Sequence, residues 1–117
     1  MAVSRRSVLQ LAGAAVLPAA HASQLVPVTK PIPSSGERMP VIGLGTWITF
    51  NVGRDPAGRK ESTEVVREFL HLGGKMIDSS PMYGSSQDVV GEALTKVGGH
   101  QRVFSADKVW TSGDGAV

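Results

Sequence analysis

The chain has 117 residues, enough for one modest domain, with 12 basic and 10 acidic side chains and no cysteine. The lack of cysteine excludes a disulfide framework, a thiolate metal site and a cysteine nucleophile. Arg5 and Arg6 account for the formal charge of +2; the other basic residues balance the acidic ones, and no basic stripe remains to suggest nucleic acid.

The first 22 residues read as a targeting segment. Ser4-Arg5-Arg6 precedes an apolar run over residues 8–20, closed by Ala20-His21-Ala22. A charged start, a short apolar middle and an A-x-A end describe a secretory signal peptide, cut near Ala22. The run is shorter than the roughly 20 residues a bilayer span needs, so no stable membrane anchor is expected. The paired arginines resemble the twin-arginine signal of bacteria, with Val8 where a phenylalanine is common. That resemblance implies contact with export machinery, a periplasmic destination and a cargo that folds, often around a cofactor, before it leaves.

Residues 23–35 read as a linker or an N-terminal hairpin. Pro27, Pro31 and Pro33, with Pro40 beyond them, punctuate the passage, and Ser34-Ser35-Gly36 offers a turn. Residues 41–47 form a short buried strand that runs into a loop. The pair Gly43 and Gly45 fails the dinucleotide fingerprint, because Ile48 stands at the third glycine position and no helical pattern begins there. These glycines read instead as places of close backbone approach. Residues 51–60, with two glycines, Pro56 and several charges, read as an exposed loop.

From Ser62 the period becomes helical. Val65, Val66, Phe69 and Leu70 form an apolar face with Leu72 at its edge; Ser62 or Thr63 caps the start and Gly73-Gly74 ends it. His71 falls on the polar face. Residues 75–79 make the next strand, with Met76 and Asp78 on one face and Ile77 on the other. A second helix starts near Ser85-Ser86, carries the stripe Val89, Val90, Ala93, Leu94 and Val97, and stops at Gly98-Gly99. Residues 102–110 form a third strand, with Phe104, Ala106 and Lys108 inward. Ser105 and Asp107 then face the helix layer, where a carboxylate needs a partner. Strand, helix, strand, helix, strand is an α/β order with parallel strands and right-handed crossovers.

The chemistry gathers around residues 76–84. Asp78, Tyr83 and Lys108 lie where loops leave strand ends, and an acid, a phenol and an amine there make a plausible proton-transfer set. The plain alternative is a surface turn with an ordinary tyrosine and a solvated lysine.

Three separate motifs, in order, carry a resemblance over residues 36–112 to the N-terminal part of the aldo-keto reductase family. Met39-Pro40-Val41-Ile42-Gly43-Leu44-Gly45-Thr46-Trp47 resembles its first barrel strand and cofactor-facing loop. Ile77-Asp78-Ser79-Ser80-Pro81-Met82-Tyr83-Gly84 resembles the segment holding its aspartate and tyrosine acid. Lys108-Val109-Trp110 resembles its third strand with the lysine. The resemblance implies that residues 36–117 are the start of a (β/α)8 TIM barrel, of which about three strands and two helices are present. It implies hydride transfer from NADPH to a small aldehyde or ketone, with no metal. Tyr83 would donate the proton, Lys108 would ease its release, and Asp78 would hold Lys108. Gly45, Thr46, Trp47 and Asp78 would lie near the nicotinamide.

The family's catalytic histidine comes from the next strand, and its site for the adenosine end of the cofactor lies further on. None of His21, His71 and His100 sits in a matching motif. The expectation is therefore an inactive N-terminal fragment of an exported reductase. The alternative is a non-enzymatic binding or assembly module that uses its exposed strand edge.

Overall fold

A computed structural model of the chain describes residues 26–109. The targeting segment, the first residues of the linker and the closing stretch from Trp110 onward lie outside the described residues.

Strands β1 (Thr29–Pro31) and β2 (Arg38–Pro40) pair antiparallel, with Lys30 opposite Met39. The Gly36 amide donates to the Ile32 carbonyl at 2.8 Å, and Gly36 has a φ of 73°, the left-handed conformation that glycine adopts without strain. This hairpin leads into a three-stranded parallel sheet. Its strands are β3 (Leu44–Gly45), β4 (Met76–Asp78) and β5 (Phe104–Ala106), in the order β3-β4-β5. Helix α1 (Pro56–His71) joins β3 to β4, and α2 (Ser86–Val97) with a 3-10 turn at His100–Arg102 joins β4 to β5. This is the expected α/β order, as three strands and two helices of a partial barrel wall.

The helices pack on each other and cover one face of the sheet. Val66 and Leu70 of α1, Ile77 of β4 and Val89, Val90, Ala93 and Leu94 of α2 form the core, joined by Phe50 from the loop after β3. Ile77 is buried while Met76 and Asp78 are half-buried, so the alternation read along β4 holds. The stripe read along α2 holds too, and the helix ends at Gly98 in the left-handed conformation.

Helix α1 departs from the expectation. It begins six residues before Ser62, at Pro56, inside the stretch read as an exposed loop. The Asp55 carboxylate caps it by accepting from the amides of Ala57 at 3.3 Å and Gly58 at 2.9 Å. Proline at the first helical position loses no hydrogen bond, since that amide has no partner inside the helix. Ser62 and Thr63 are therefore not caps. They lie on the buried face with Val66 and Leu70, and the Thr63 hydroxyl donates to the Arg59 carbonyl at 2.8 Å. Val65 and Leu72 are exposed.

The two outer strands are also shorter than read. Val41 and Ile42 are exposed, Ile42 by 73%, because among the described residues no strand lies beyond β3 to cover them. Phe104 is exposed on the far side of β5 for the same reason. Asp107 avoids the cost of burial by staying at the surface, where it accepts from the Gln87 side chain of α2 at 2.8 Å.

Candidate active site

The site forms at the C-terminal ends of the parallel strands. Register places Gly45, Asp78 and Ala106 in one row across the sheet. Asp78 ends β4, and the Ser79 amide extends the ladder by one bond to the Ala106 carbonyl at 3.0 Å. The chain then turns away at Pro81. The Tyr83 amide donates to the Ser80 carbonyl at 3.0 Å, and the Ser80 hydroxyl accepts from the Met82 amide at 3.3 Å. This turn delivers a half-buried Tyr83 beside the ends of β4 and β5.

Lys108, two residues past β5, reaches back to the same place. Its Nζ donates to both Asp78 carboxylate oxygens at 2.6 Å and to the Ser79 carbonyl at 3.3 Å. It lies 5.0 Å from the centre of the Tyr83 ring. Asp78 first and Tyr83 second hold the Lys108 ammonium above its ordinary pKa, while desolvation works against them. The Lys108 and Asp78 side chains remain 41% and 38% exposed. Solvent screens a pair so placed, so its consequence is orientation of the amine more than stability.

The loop after β3 supplies the facing wall. Trp47 is 66% exposed, with its ring centre 6.4 Å from that of Tyr83 at an interplanar angle of 42°. A Cβ built on Gly45 would meet nothing within 4 Å, so the strand end is open to an approaching flat group. Thr46 points the other way. It is fully buried, its hydroxyl bonded to the Asp78 carbonyl at 2.9 Å and to the Ser79 hydroxyl at 3.0 Å. Its own carbonyl accepts from the Ser86 hydroxyl at 3.1 Å. Thr46 thus ties β3, β4 and the start of α2 together beneath the open face.

The structure therefore brings Asp78, Tyr83 and Lys108 into one cluster, with Trp47 beside Tyr83 and Gly45 beside Asp78 in the sheet. Sequence reasoning missed the residues that join the two loops. Asn51 and Ser85 bond across them, and Arg59 of α1 pairs with Asp88 and Glu92 of α2 while its Nε donates to the Gly53 carbonyl at 2.7 Å. It also missed that Ile48, next to Trp47, has a φ of 65°. A β-branched residue rarely adopts that conformation, and such strain collects where loops are fixed for a purpose. No local pattern announces a bond between residues far apart in sequence.

Comparison with known proteins follows the same line. Residues 41–116 match the model of the aldo/keto reductase family. The chain is 39% identical over 89 residues to methylglyoxal reductase YeaE of Escherichia coli, covering 72% of this chain and 30% of that protein. It is 36% identical over 89 residues to the NADP-dependent D-sorbitol-6-phosphate dehydrogenase of Malus domestica, covering 72% of this chain and 26% of that one. An aldo/keto reductase of Klebsiella pneumoniae, solved with NADP and acetate, superposes with a TM-score of 0.60 at 29% identity, over 78% of this chain and 31% of the other. The chain thus spans less than a third of the length of these relatives. Its matched segment, its parallel strand–helix repeat and the cluster at its strand ends agree: the chain belongs to the aldo/keto reductase family.

Proposed function

We propose that this segment supplies the proton-donating side of an NADPH-dependent reductase acting on a small aldehyde or ketone. The observation that carries this reading is the Lys108 amine, bonded to both oxygens of Asp78 and standing 5.0 Å from the Tyr83 ring centre. The relatives named above, one of them NADP-dependent and another solved with NADP, support the choice of cofactor.

The residues present suit the nicotinamide end of that cofactor. Gly45 leaves the strand end unobstructed, Trp47 offers an exposed flat ring and Asp78 stands opposite Gly45 in the sheet. Thr46, with its hydroxyl committed inward, would serve by fixing this edge. When bound, NADPH supplies a hydride to the carbonyl carbon. The electron pair of the carbonyl bond then moves to oxygen, and the Tyr83 hydroxyl gives that oxygen its proton. Lys108, kept charged and aimed by Asp78, stabilises the phenolate left behind.

The test uses a barrel-length protein carrying this segment. Tyr83→Phe should lower aldehyde-dependent NADPH oxidation by about 10²–10⁴-fold, the usual share of a positioned acid. NADPH binding, followed by fluorescence, should persist. Lys108→Met should also lower turnover and displace its pH profile. Unchanged turnover in Tyr83→Phe would remove Tyr83 as the donor. The 117-residue chain alone is the negative arm, expected to oxidise no NADPH.

The same reading includes export. Arg5-Arg6 before a short apolar run supports delivery of a folded protein to the periplasm, with the mature chain starting near Ser23. Lysine at both positions should block delivery. Mass spectrometry of the periplasmic fraction decides, and an intact N-terminus on cytoplasmic protein would contradict it.

A further inference from the structure

Tyr83 is held from both sides, by bonds within its own turn and by a grip from the other loop; on its C-terminal side its carbonyl accepts the Ser86 amide at 3.1 Å. On the N-terminal side the Ser80 carbonyl takes its amide. On the C-terminal side the chain passes through Gly84, with a φ of 60°, to Ser85. There a second grip comes from the other loop. Asn51 Oδ1 accepts the Ser85 amide at 2.9 Å and the Ser85 hydroxyl at 3.1 Å. The Ser85 hydroxyl in turn accepts the Gly53 amide at 2.8 Å, so its one donor and one of its acceptor sites are used across the same gap. The Asn51 side chain fills the place where a Cβ on Gly84 would stand.

Asn51 is itself fixed. Its amide donates to the Ile48 carbonyl at 3.0 Å, closing the turn that begins at the strained Ile48, next to Trp47. Phe50, inside that turn, is buried in the core. Gly53, two residues on, gives its carbonyl to Arg59, which is anchored on α2 through Asp88 and Glu92. The loop carrying Trp47 and the loop carrying Tyr83 are thus joined through the Asn51 amide oxygen and the Ser85 hydroxyl, in addition to the bonds that Thr46 makes to Ser79 and Ser86.

We infer that Asn51 is a positioning residue for Tyr83. It touches no reacting atom. Together with the Ser86 amide on the Tyr83 carbonyl it sets the exit of the chain from Tyr83, and with it the place of the hydroxyl relative to Lys108 and Trp47. The inference rests on the reading of Tyr83 as proton donor, and it assigns to the first loop a part in proton delivery that the motifs do not contain.

The experiment compares Asn51→Ala, Asn51→Asp, Asn51→Leu, Ser85→Ala and Tyr83→Phe in the barrel-length protein, measuring kcat, carbonyl KM, NADPH affinity and melting temperature. Asn51→Ala should lower kcat by about 10- to 100-fold, the scale of an ångström-sized misplacement of a reacting group. NADPH affinity and melting temperature should change little. Asn51→Asp keeps both the shape and the accepting oxygen and should restore kcat to within about threefold of the native value, while Asn51→Leu, of similar bulk with no oxygen, should stay as impaired as Asn51→Ala; a merely packing role would not separate the two. Ser85→Ala deletes the hydroxyl bridge alone and should lower kcat by a smaller factor, and it decides the matter if Asn51→Ala fails to fold. A native kcat in Asn51→Ala, or in Ser85→Ala where Asn51→Ala does not fold, would overturn the inference while an inactive Tyr83→Phe left the donor reading standing. An Asn51→Asp variant as impaired as Asn51→Ala would overturn it as well. Turnover retained in Tyr83→Phe would overturn both.

Discussion

Helices α1 and α2 start at equivalent places, each after the loop that leaves a parallel strand, yet their first residues are used differently. Asp55 turns its carboxylate onto the first turn of its own helix and satisfies two amides there. Ser85 makes no such bond. It is a good capping residue by type, but its hydroxyl is engaged by Asn51 and Gly53 of the other loop. The start of α1 is thus secured locally. The start of α2 gives up its side-chain cap, and the loop bearing Tyr83 gains a fixed neighbour. Local helix stability is given up for placement at the one of the two loops that carries Tyr83, the proposed proton donor.

The strongest way to break this contrast is Gly84→Ala. Gly84 sits between Tyr83 and Ser85 at a positive φ, and its missing Cβ is what lets Asn51 approach. A left-handed alanine costs about 1–2 kcal/mol, and the added overlap brings the expected loss of stability to about 2–4 kcal/mol. Turnover should fall with it. Denaturant midpoints of the barrel-length protein check this, and a loss under about 0.5 kcal/mol would mean that the two loops are not packed as described.

Asp55→Ala sharpens the contrast from the other side. Loss of a helix cap should cost about 1 kcal/mol and leave turnover at the native level. Hydrogen exchange should quicken at Ala57 and Gly58, whose amides the carboxylate accepts. In Ser85→Ala the change should instead appear at Gly53, 32 residues away, and not in the first turn of α2. Faster exchange along the start of α2 would show Ser85 to be an ordinary cap.

The smallest effect concerns the charges that link the helices. Lys96 first and Arg59 second hold the Glu92 carboxyl below its ordinary pKa. A depressed carboxylate pKa contributes stability that is present above the unfolded value and is lost as pH falls through the folded one. The stability difference between the native protein and Arg59→Leu should therefore shrink as pH drops below about 4, and should also shrink with added salt. A difference that grows on acidification would contradict this assignment.

Much of this arrangement was legible in the sequence, for reasons that differ by element. Helix α2 was readable because its apolar spacing has one interpretation and Gly98-Gly99 marks its end, and strand β4 because Gly73-Gly74 and Pro81 bound its alternating run. Asp78, Tyr83 and Lys108 were readable because each lies in a motif at a strand end, and the parallel order brings such ends together. Helix α1 misled at its start. Asp55-Pro56 is a helix-start signal, but Gly53 and Gly58 on either side give the stretch the composition of a loop. Val52 packs against Gly58, where a Cβ would come within 2.9 Å. Its buried face was misread because Ser62 and Thr63 count as polar, while Val65 counts as apolar and is exposed. Exposure of Val41 and Ile42 was unreadable for another reason: apolar character predicts burial only where a neighbour exists to cover it. The Asn51–Ser85 bond spans 34 residues and has no local signature.

Asp78 holds the Lys108 amine, charged and in place, against Tyr83. Nitrogen-detected NMR of the Lys108 side chain in the barrel-length protein tests it directly. The account predicts that Lys108 titrates above the ordinary lysine range, and that Asp78→Asn moves it back down, since the bond to Asp78 is the largest cause of the rise. A Lys108 that titrates as a free lysine, unmoved by Asp78→Asn, would contradict it.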